Sequence, residues 1–128
     1  MQALLDTHAF LWWNTDDKRL SSNAREFISN SDNIIFLSVI SAWEIVIKFN
    51  LGKLPLPESP KLYIPSRINY YEFQILTVKM NHVIQVSELK NHHKDPFDRL
   101  LIAQSKVENV PIMTADPKMS LYDVDIIW

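Results

Sequence analysis

Short apolar runs alternate along this chain with stretches of helical periodicity, and this alternation is the feature that most constrains the fold. The predicted strands are residues 2–5, 34–37, 73–78, 111–114 and 124–127. Apolar positions at helical spacing fill most of the intervals between them. Strands that alternate with helices are typical of a mostly parallel sheet covered by helices on both faces. We therefore predict an α/β fold with a central, mostly parallel sheet of about five strands flanked by helices.

Prolines give further boundaries. Residues 54–65 carry four of the seven prolines, which predicts a loop that interrupts any long helix there, with a helical piece within 61–71. Asp95 is followed by Pro96, the pattern of a helix cap and a first-turn proline. A helix is therefore predicted from this point through Val107.

The size and composition favour one soluble domain over residues 1–128, since the chain has 128 residues, of which 47% are hydrophobic. There is no cysteine, so any metal must be held by oxygen or imidazole ligands. The net charge of −2 argues against a broad basic surface for nucleic acid. The N-terminus lacks a basic leader, and no apolar run approaches the ~20 residues of a membrane span. We expect a cytoplasmic protein without membrane contact.

Four acidic residues occupy positions from which they can meet. Asp6 ends the first predicted strand, and Asp116 stands just beyond the fourth. The carboxyl ends of parallel strands form the edge where functional groups collect. Glu44 lies on the helix after the second strand, which Ser38 or Ser41 is predicted to cap, and it has apolar neighbours that suggest partial burial. A buried carboxylate needs a cation or a donor network, and a divalent metal supplies the cation.

Asp98 has two interpretations that the local sequence does not separate. It lies in the first turn of the last long helix, where it can reciprocate the cap formed by Asp95, or it can face a metal while Asp95 alone fixes the helix start. Carboxylate ligands without cysteine suit Mg²⁺ or Mn²⁺. Such a cluster can direct water at a phosphodiester, which is the chemistry of metal-assisted hydrolysis.

Structural roles compete with these functional ones. Asp6 can simply accept backbone hydrogen bonds, Asp116 can form a turn with Pro117, and Glu44 can be a solvated helix residue. Thr7 can cap the following helix, and Thr114 can be a structural hydroxyl. Seven other residues have similar alternatives, namely His8, His92, His93, Trp12, Trp13, Lys48 and Arg99, and we leave the three histidines out of the predicted metal shell. The histidines are expected at the surface or in hydrogen bonds, and the tryptophans in the core or a subunit interface rather than on RNA bases. Lys48 and Arg99 are either phosphate contacts or surface charges.

Four separated segments resemble one protein family in order and spacing. The segments LLDTHAFLWW, SVISAWEIVIKFNLGKL, DPFDRLLIAQ and PIMTAD are similar to those of PIN-domain nucleases, specifically the VapC-like toxins of bacterial toxin–antitoxin modules. The resemblance covers nearly the whole chain. It departs at Asn109-Val110, where many relatives have a glycine before the strand, and it is least specific over residues 54–71.

The resemblance implies a Rossmann-like PIN domain that cleaves RNA endonucleolytically with Mg²⁺ or Mn²⁺, forms a homodimer and is inhibited by a cognate antitoxin. It also implies that the acidic quartet and its supporting residues match positions of this chain. The quartet is Asp6, Glu44, Asp98 and Asp116, and the supporting residues are Thr7, Thr114 and the cap Asp95. Two alternatives stay open: a receiver-like or phosphatase-like magnesium-binding domain in which an aspartate accepts phosphate, and a PIN-like protein that binds partners without catalysis.

Overall fold

The computed structural model describes residues 1–128 and contains a five-stranded sheet in the order β3-β2-β1-β4-β5, in which every pairing is parallel. The strands are β1 (Gln2–Leu5), β2 (Ile34–Ser38), β3 (Gln74–Leu76), β4 (Ile112–Met113) and β5 (Ile126–Ile127). The helices are α1 (Thr7–Asn14), α2 (Ser22–Ser29), α3 (Val39–Asn50), α4 (Pro60–Tyr71), α5 (Met80–Val86) and α6 (Pro96–Glu108). The predicted parallel α/β fold is confirmed. None of these helices is both long enough and apolar enough to cross a membrane.

The central strand β1 explains why the apolar runs are continuous rather than alternating. Ala3, Leu4 and Leu5 are all fully buried, although successive side chains of a strand point to opposite faces. Ala3 and Leu5 belong to a core cluster on one face, whereas Leu4 belongs to a second cluster on the other. Since helices cover both faces of the sheet, the three buried positions of this strand are all apolar, and only Gln2 at its exposed start is polar.

The strand order also fixes where a site can form. The chain moves from β1 to β2 on one side, but β4 pairs with β1 on its other side. The direction of winding therefore reverses between β1 and β4, and such a reversal opens a crevice beyond the carboxyl ends of the two strands. Asp6 and Asp116 follow these two strands, so the topology brings both into that crevice.

The helical piece expected within residues 61–71 is present as α4, which runs from Pro60 through Pro65 to Tyr71, whereas the predicted loop extended too far, since the loop ends at Ser59. Pro60 occupies the first turn, where a missing N–H removes no helical hydrogen bond. Pro65 lies inside the helix, which is held in place by the burial of Tyr63 and Ile64 in the core. Tertiary packing here outweighs the local cost of a proline.

Candidate active site

A small polar cavity of about 70 Å³ lies beyond the carboxyl ends of the central strands. None of its lining residues is hydrophobic. The lining consists of Asp6, Thr7, His8, Glu44, Lys48, Asp95, Asp98 and Asp116. The four acids singled out from the sequence thus meet in one place, whereas their catalytic role stays a prediction.

Asp6 is the most deeply buried aspartate of the cavity, with only 5% of its surface exposed. It also caps α1, because its Oδ1 accepts a hydrogen bond from the backbone N–H of Ala9 at 2.7 Å. Burial raises the pKa of Asp6, while hydrogen bonds from Thr114 and Ala9 and the nearby His8 oppose this increase. The cap uses one carboxylate oxygen of Asp6. Asp6 therefore accepts a backbone hydrogen bond, as its structural interpretation expected, and also lines the cavity.

Glu44 is 4% exposed, and it is therefore not the solvated helix residue that its local sequence allowed. The hydroxyl of Thr7 donates to its Oε1 at 2.7 Å, and Lys48 Nζ, one helical turn later, donates to its Oε2 at 2.5 Å. The cap of helix α1 is Asp6 and not Thr7, which is the first residue of that helix. Thr7 instead holds Glu44, and Lys48 places a positive charge beside this buried carboxylate.

The two interpretations of Asp98 are separated by the hydrogen bonds of Asp95. Asp95 Oδ1 accepts from the backbone N–H groups of Phe97 at 2.8 Å and Asp98 at 3.1 Å, so it is the cap of α6. The Asp98 carboxylate points into the cavity. Its pKa is raised to about 7, first by burial and then by the negative charges of Asp95 and Glu44, although His93 opposes this.

His93 lies between two of the acids. This position was not predicted from the sequence, because the histidines were left out of the predicted site. Its Nε2 atom is 2.9 Å from Asp98 Oδ2 and 3.0 Å from Asp116 Oδ2. One ligand atom from each of these three residues lies within 4.8 Å of the others. The loop that carries His93 is fixed by a hydrogen bond from the His93 backbone N–H to Tyr122 Oη at 3.0 Å. Because this contact joins residues 29 positions apart, no local pattern could have indicated it.

Asp116 combines a turn with a position at the cavity. Its Oδ1 accepts from the backbone N–H of Lys118 at 2.9 Å, as expected for an aspartate before proline. Its own N–H donates to Thr114 Oγ1 at 3.0 Å, and the other carboxylate oxygen faces His93. Thr114 therefore orients the turn that presents Asp116.

Of the remaining charged candidates, Arg99 is structural. Its guanidinium donates to the backbone carbonyls of Lys90, His93 and Val86, so it supports the loop next to the cavity and is not free for phosphate. His92 is exposed and packs against the Tyr122 ring. His8, in contrast, lines the cavity.

A buried hydrogen bond joins the helices that carry Glu44 and Asp98. The Ser38 hydroxyl, which caps α3, donates to Oε1 of Gln104 on α6 at 2.6 Å. Gln104 is fully buried, and its Nε2 donates to the backbone carbonyl of Thr77 at 3.2 Å. Each acid lies six residues along its helix from this bond. The Ser38–Gln104 pair therefore fixes the relative position of α3 and α6.

Replacing Gln104 by leucine should lower the free energy of unfolding by about 1–3 kcal/mol, because the Ser38 hydroxyl and the Thr77 carbonyl lose their partner. Urea denaturation measures this change. The matched control is Gln74→Leu, which replaces an exposed glutamine of β3 and should shift stability by less than about 0.5 kcal/mol. Equal effects of the two substitutions would contradict the role assigned to Gln104.

The fold and this cavity define an α/β protein with a parallel sheet and an acidic site at the crevice between β1 and β4, where the direction of winding reverses. The sequence profile of the PIN domain matches residues 3–125. This chain belongs to the PIN domain family.

Several relatives are similar in sequence or in structure. Ribonuclease VapC16 of Mycobacterium tuberculosis (strain ATCC 25618 / H37Rv) is 40% identical over 68 residues, which are 50% of this chain and 48% of the relative, so the match spans about half the length of that protein. The structure is similar to that of VapBC2 from Rickettsia felis bound to a DNA fragment from its promoter, with a TM-score of 0.72 and 16% identity over 98% of this chain and 97% of the other. For VapBC-1 from nontypeable Haemophilus influenzae the TM-score is 0.69, with 14% identity over 98% of this chain and 96% of the other.

Proposed function

We propose that this protein is a metal-dependent endoribonuclease that hydrolyses RNA phosphodiester bonds at the acidic cavity. The observation that carries the proposal is the charge imbalance of the cavity, where five carboxylates face a single lysine that is already paired with Glu44. Carboxylates held this close raise each other's pKa unless a multivalent cation compensates for their charge. A cation of that kind is what phosphodiester hydrolysis uses.

The donor set fits Mg²⁺ or Mn²⁺. Asp6, Glu44, Asp98 and Asp116 offer oxygen atoms only, and hard divalent cations prefer oxygen ligands. We assign these four residues as the metal-binding and catalytic acids. A cation held by these residues would supply positive charge to the phosphate and would lower the pKa of water, so that hydroxide becomes available near neutral pH.

The residues around the acids have positioning roles in this proposal. Thr7 and Lys48 hold the two oxygens of Glu44, so this carboxylate is fixed in position. Asp95 sets the start of α6 and hence the position of Asp98. Thr114 orients the turn that carries Asp116. A rigid arrangement of this kind lowers the cost of reorganising charge around a phosphate during reaction.

Partners and assembly are part of the same proposal. One relative is named a ribonuclease, and a similar structure is a toxin–antitoxin complex from Klebsiella pneumoniae, which supports RNA as substrate and a cognate antitoxin as inhibitor. We also propose that residues 1–128 act as one domain and form a homodimer. Light scattering on purified protein, alone and with the product of a neighbouring small gene, would measure both associations.

No feature of the site favours a receiver-like function. Such a domain needs a phosphoacceptor at a further strand end, but β2 ends in Ser38, which is 1% exposed and donates to Gln104. A binding protein without catalysis would retain the acids and show no hydrolysis, so activity separates it from the proposed enzyme.

The proposal is tested by incubating purified protein with total RNA in Mg²⁺ or Mn²⁺ and in EDTA. Discrete fragments that depend on the metal are expected, since the acids alone carry no positive charge to place against the phosphate. Equal fragment patterns with metal and with EDTA would overturn the metal-dependent mechanism.

A further inference from the structure

Beside the acidic cavity, a strip of aromatic side chains begins at the only cavity residue that is exposed, His8. His8 and Trp12 lie one helical turn apart on α1 and therefore on the same face. Their rings are stacked, with centroids 5.5 Å apart and an interplanar angle of 15°. The strip continues to Trp128, whose ring centroid is 5.9 Å from that of Trp12.

The middle of the strip is packed against the rest of the fold. Trp12 is half-buried and packs against the main core cluster. The Arg19 guanidinium lies 4.9 Å from the centre of the Trp12 ring and is itself fixed by Asp17 at 2.8 Å. The His8 ring is thus stacked on a side chain that is itself packed in the fold, and it is exposed to solvent at the rim of the cavity.

The acidic cavity itself offers RNA little besides the metal. Apart from Lys48, which is paired with Glu44, no lysine or arginine lines it. A substrate therefore needs contacts outside the acids that do not depend on charge. Stacking of bases on aromatic rings is a contact of this kind, and it tolerates every base.

We propose that His8, supported by Trp12, stacks on a nucleobase next to the scissile phosphate and so forms a nucleotide-binding subsite of the active site. This proposal rests on the proposed ribonuclease function and adds the residue that holds the substrate strand. His8 binds the substrate in this account, and Trp12 is a positioning residue. The preferred occupant is an unpaired base, because bases within a duplex are already stacked on their neighbours.

The test compares wild type, His8→Ala and His8→Phe, using a short, mixed-sequence single-stranded RNA that is end-labelled with fluorescein. Fluorescence anisotropy in Ca²⁺ measures binding, and cleavage in Mn²⁺ gives KM and kcat. His8→Ala should weaken binding and raise KM about tenfold, with kcat changed less than about threefold. His8→Phe keeps a flat ring and should return binding to within about threefold of wild type. His92→Ala, the removal of an exposed histidine that lies on Tyr122, is the matched control and should bind RNA like wild type.

The outcomes separate the two proposals. If wild type neither binds nor cleaves the RNA, the ribonuclease function fails and the subsite with it. If wild type binds and cleaves but His8→Ala matches it, only the subsite is overturned. A His8→Phe variant as weak as His8→Ala would also overturn stacking, since an aromatic ring alone would then not be sufficient.

Discussion

Replacing Asp6 by asparagine is expected to reduce the rate of RNA cleavage by more than about 100-fold. Loss of a residue that only orients a metal ligand lowers metal affinity or activity by about 10–100-fold, and loss of a ligand itself should cost more. The substitution removes one negative oxygen from the cavity but keeps the side-chain shape. Asparagine caps helices as well as aspartate does, so the hydrogen bond from Ala9 to the side chain should persist. Initial rates of RNA cleavage in Mn²⁺ measure the effect.

The same substitution is expected to maintain or raise the stability of the metal-free protein, although it lowers the activity. Burial raises the pKa of Asp6, which means that the folded protein disfavours its charged form. A neutral side chain removes this cost, so the metal-free Asp6→Asn protein should melt no lower than the wild type. The control is Asp32→Asn, which neutralises an exposed turn residue and should leave cleavage unchanged. Lost activity together with a collapsed melting temperature would instead indicate a folding defect.

A divalent metal is expected to raise the melting temperature of the wild-type protein and to have little effect on the Asp98→Asn variant. A ligand at about 100 times its Kd, bound only by the folded state, stabilises that state by about 2.7 kcal/mol. The acids of the cavity are scattered along the chain and converge only in the folded protein, so the unfolded chain lacks this site. Thermal melts with EDTA and with MnCl₂ measure the shift.

The pKa of Asp98 makes the stability of the metal-free protein depend on pH. In the folded, metal-free protein Asp98 has a pKa of about 7, against 3.8 for an ordinary aspartate. Between these values the folded state holds a proton that the unfolded chain has released, so this residue makes stability fall as pH rises, by at most ~1.4 kcal/mol per pH unit. Asp98→Asn lacks this contribution. The melting-temperature difference between variant and wild type should therefore grow from about pH 4 to about pH 7 in EDTA, and a difference that stays constant would contradict the shifted pKa.

Local patterns joined by a general rule were sufficient to predict the sheet and the approach of Asp6 to Asp116, whereas the full quartet with Glu44 and Asp98 was implied by the resemblance to PIN-domain nucleases. Continuous apolar runs identify buried parallel strands, and residues after such strands converge at the switch point. Asp6 and Asp116 follow from this rule directly. For Asp98 the local sequence left a capping role and a metal-facing role open, and the hydrogen bonds of Asp95 in the structure decide between them.

Features set by contacts distant in sequence could not be predicted in this way. His93 reaches the acids because its loop is fixed by Tyr122 and Arg99. Thr7 was expected either to cap a helix or to lie beside the acids. Its hydrogen bond to Glu44, 37 residues away, shows that it lies beside the acids. The predicted loop extended too far, to residue 65, because the burial of Tyr63 stabilises the helix around Pro65 despite the proline.

The central claim is that the acidic cavity performs metal-dependent RNA hydrolysis. It is tested most directly by treating total RNA in Mn²⁺ with wild-type protein and with an Asp98→Asn protein purified in parallel, which also excludes a contaminating nuclease. Discrete fragments with the wild type, and none with the variant or in EDTA, are the predicted result. Equal cleavage by both proteins, or no cleavage by the wild type in any divalent metal, would contradict it.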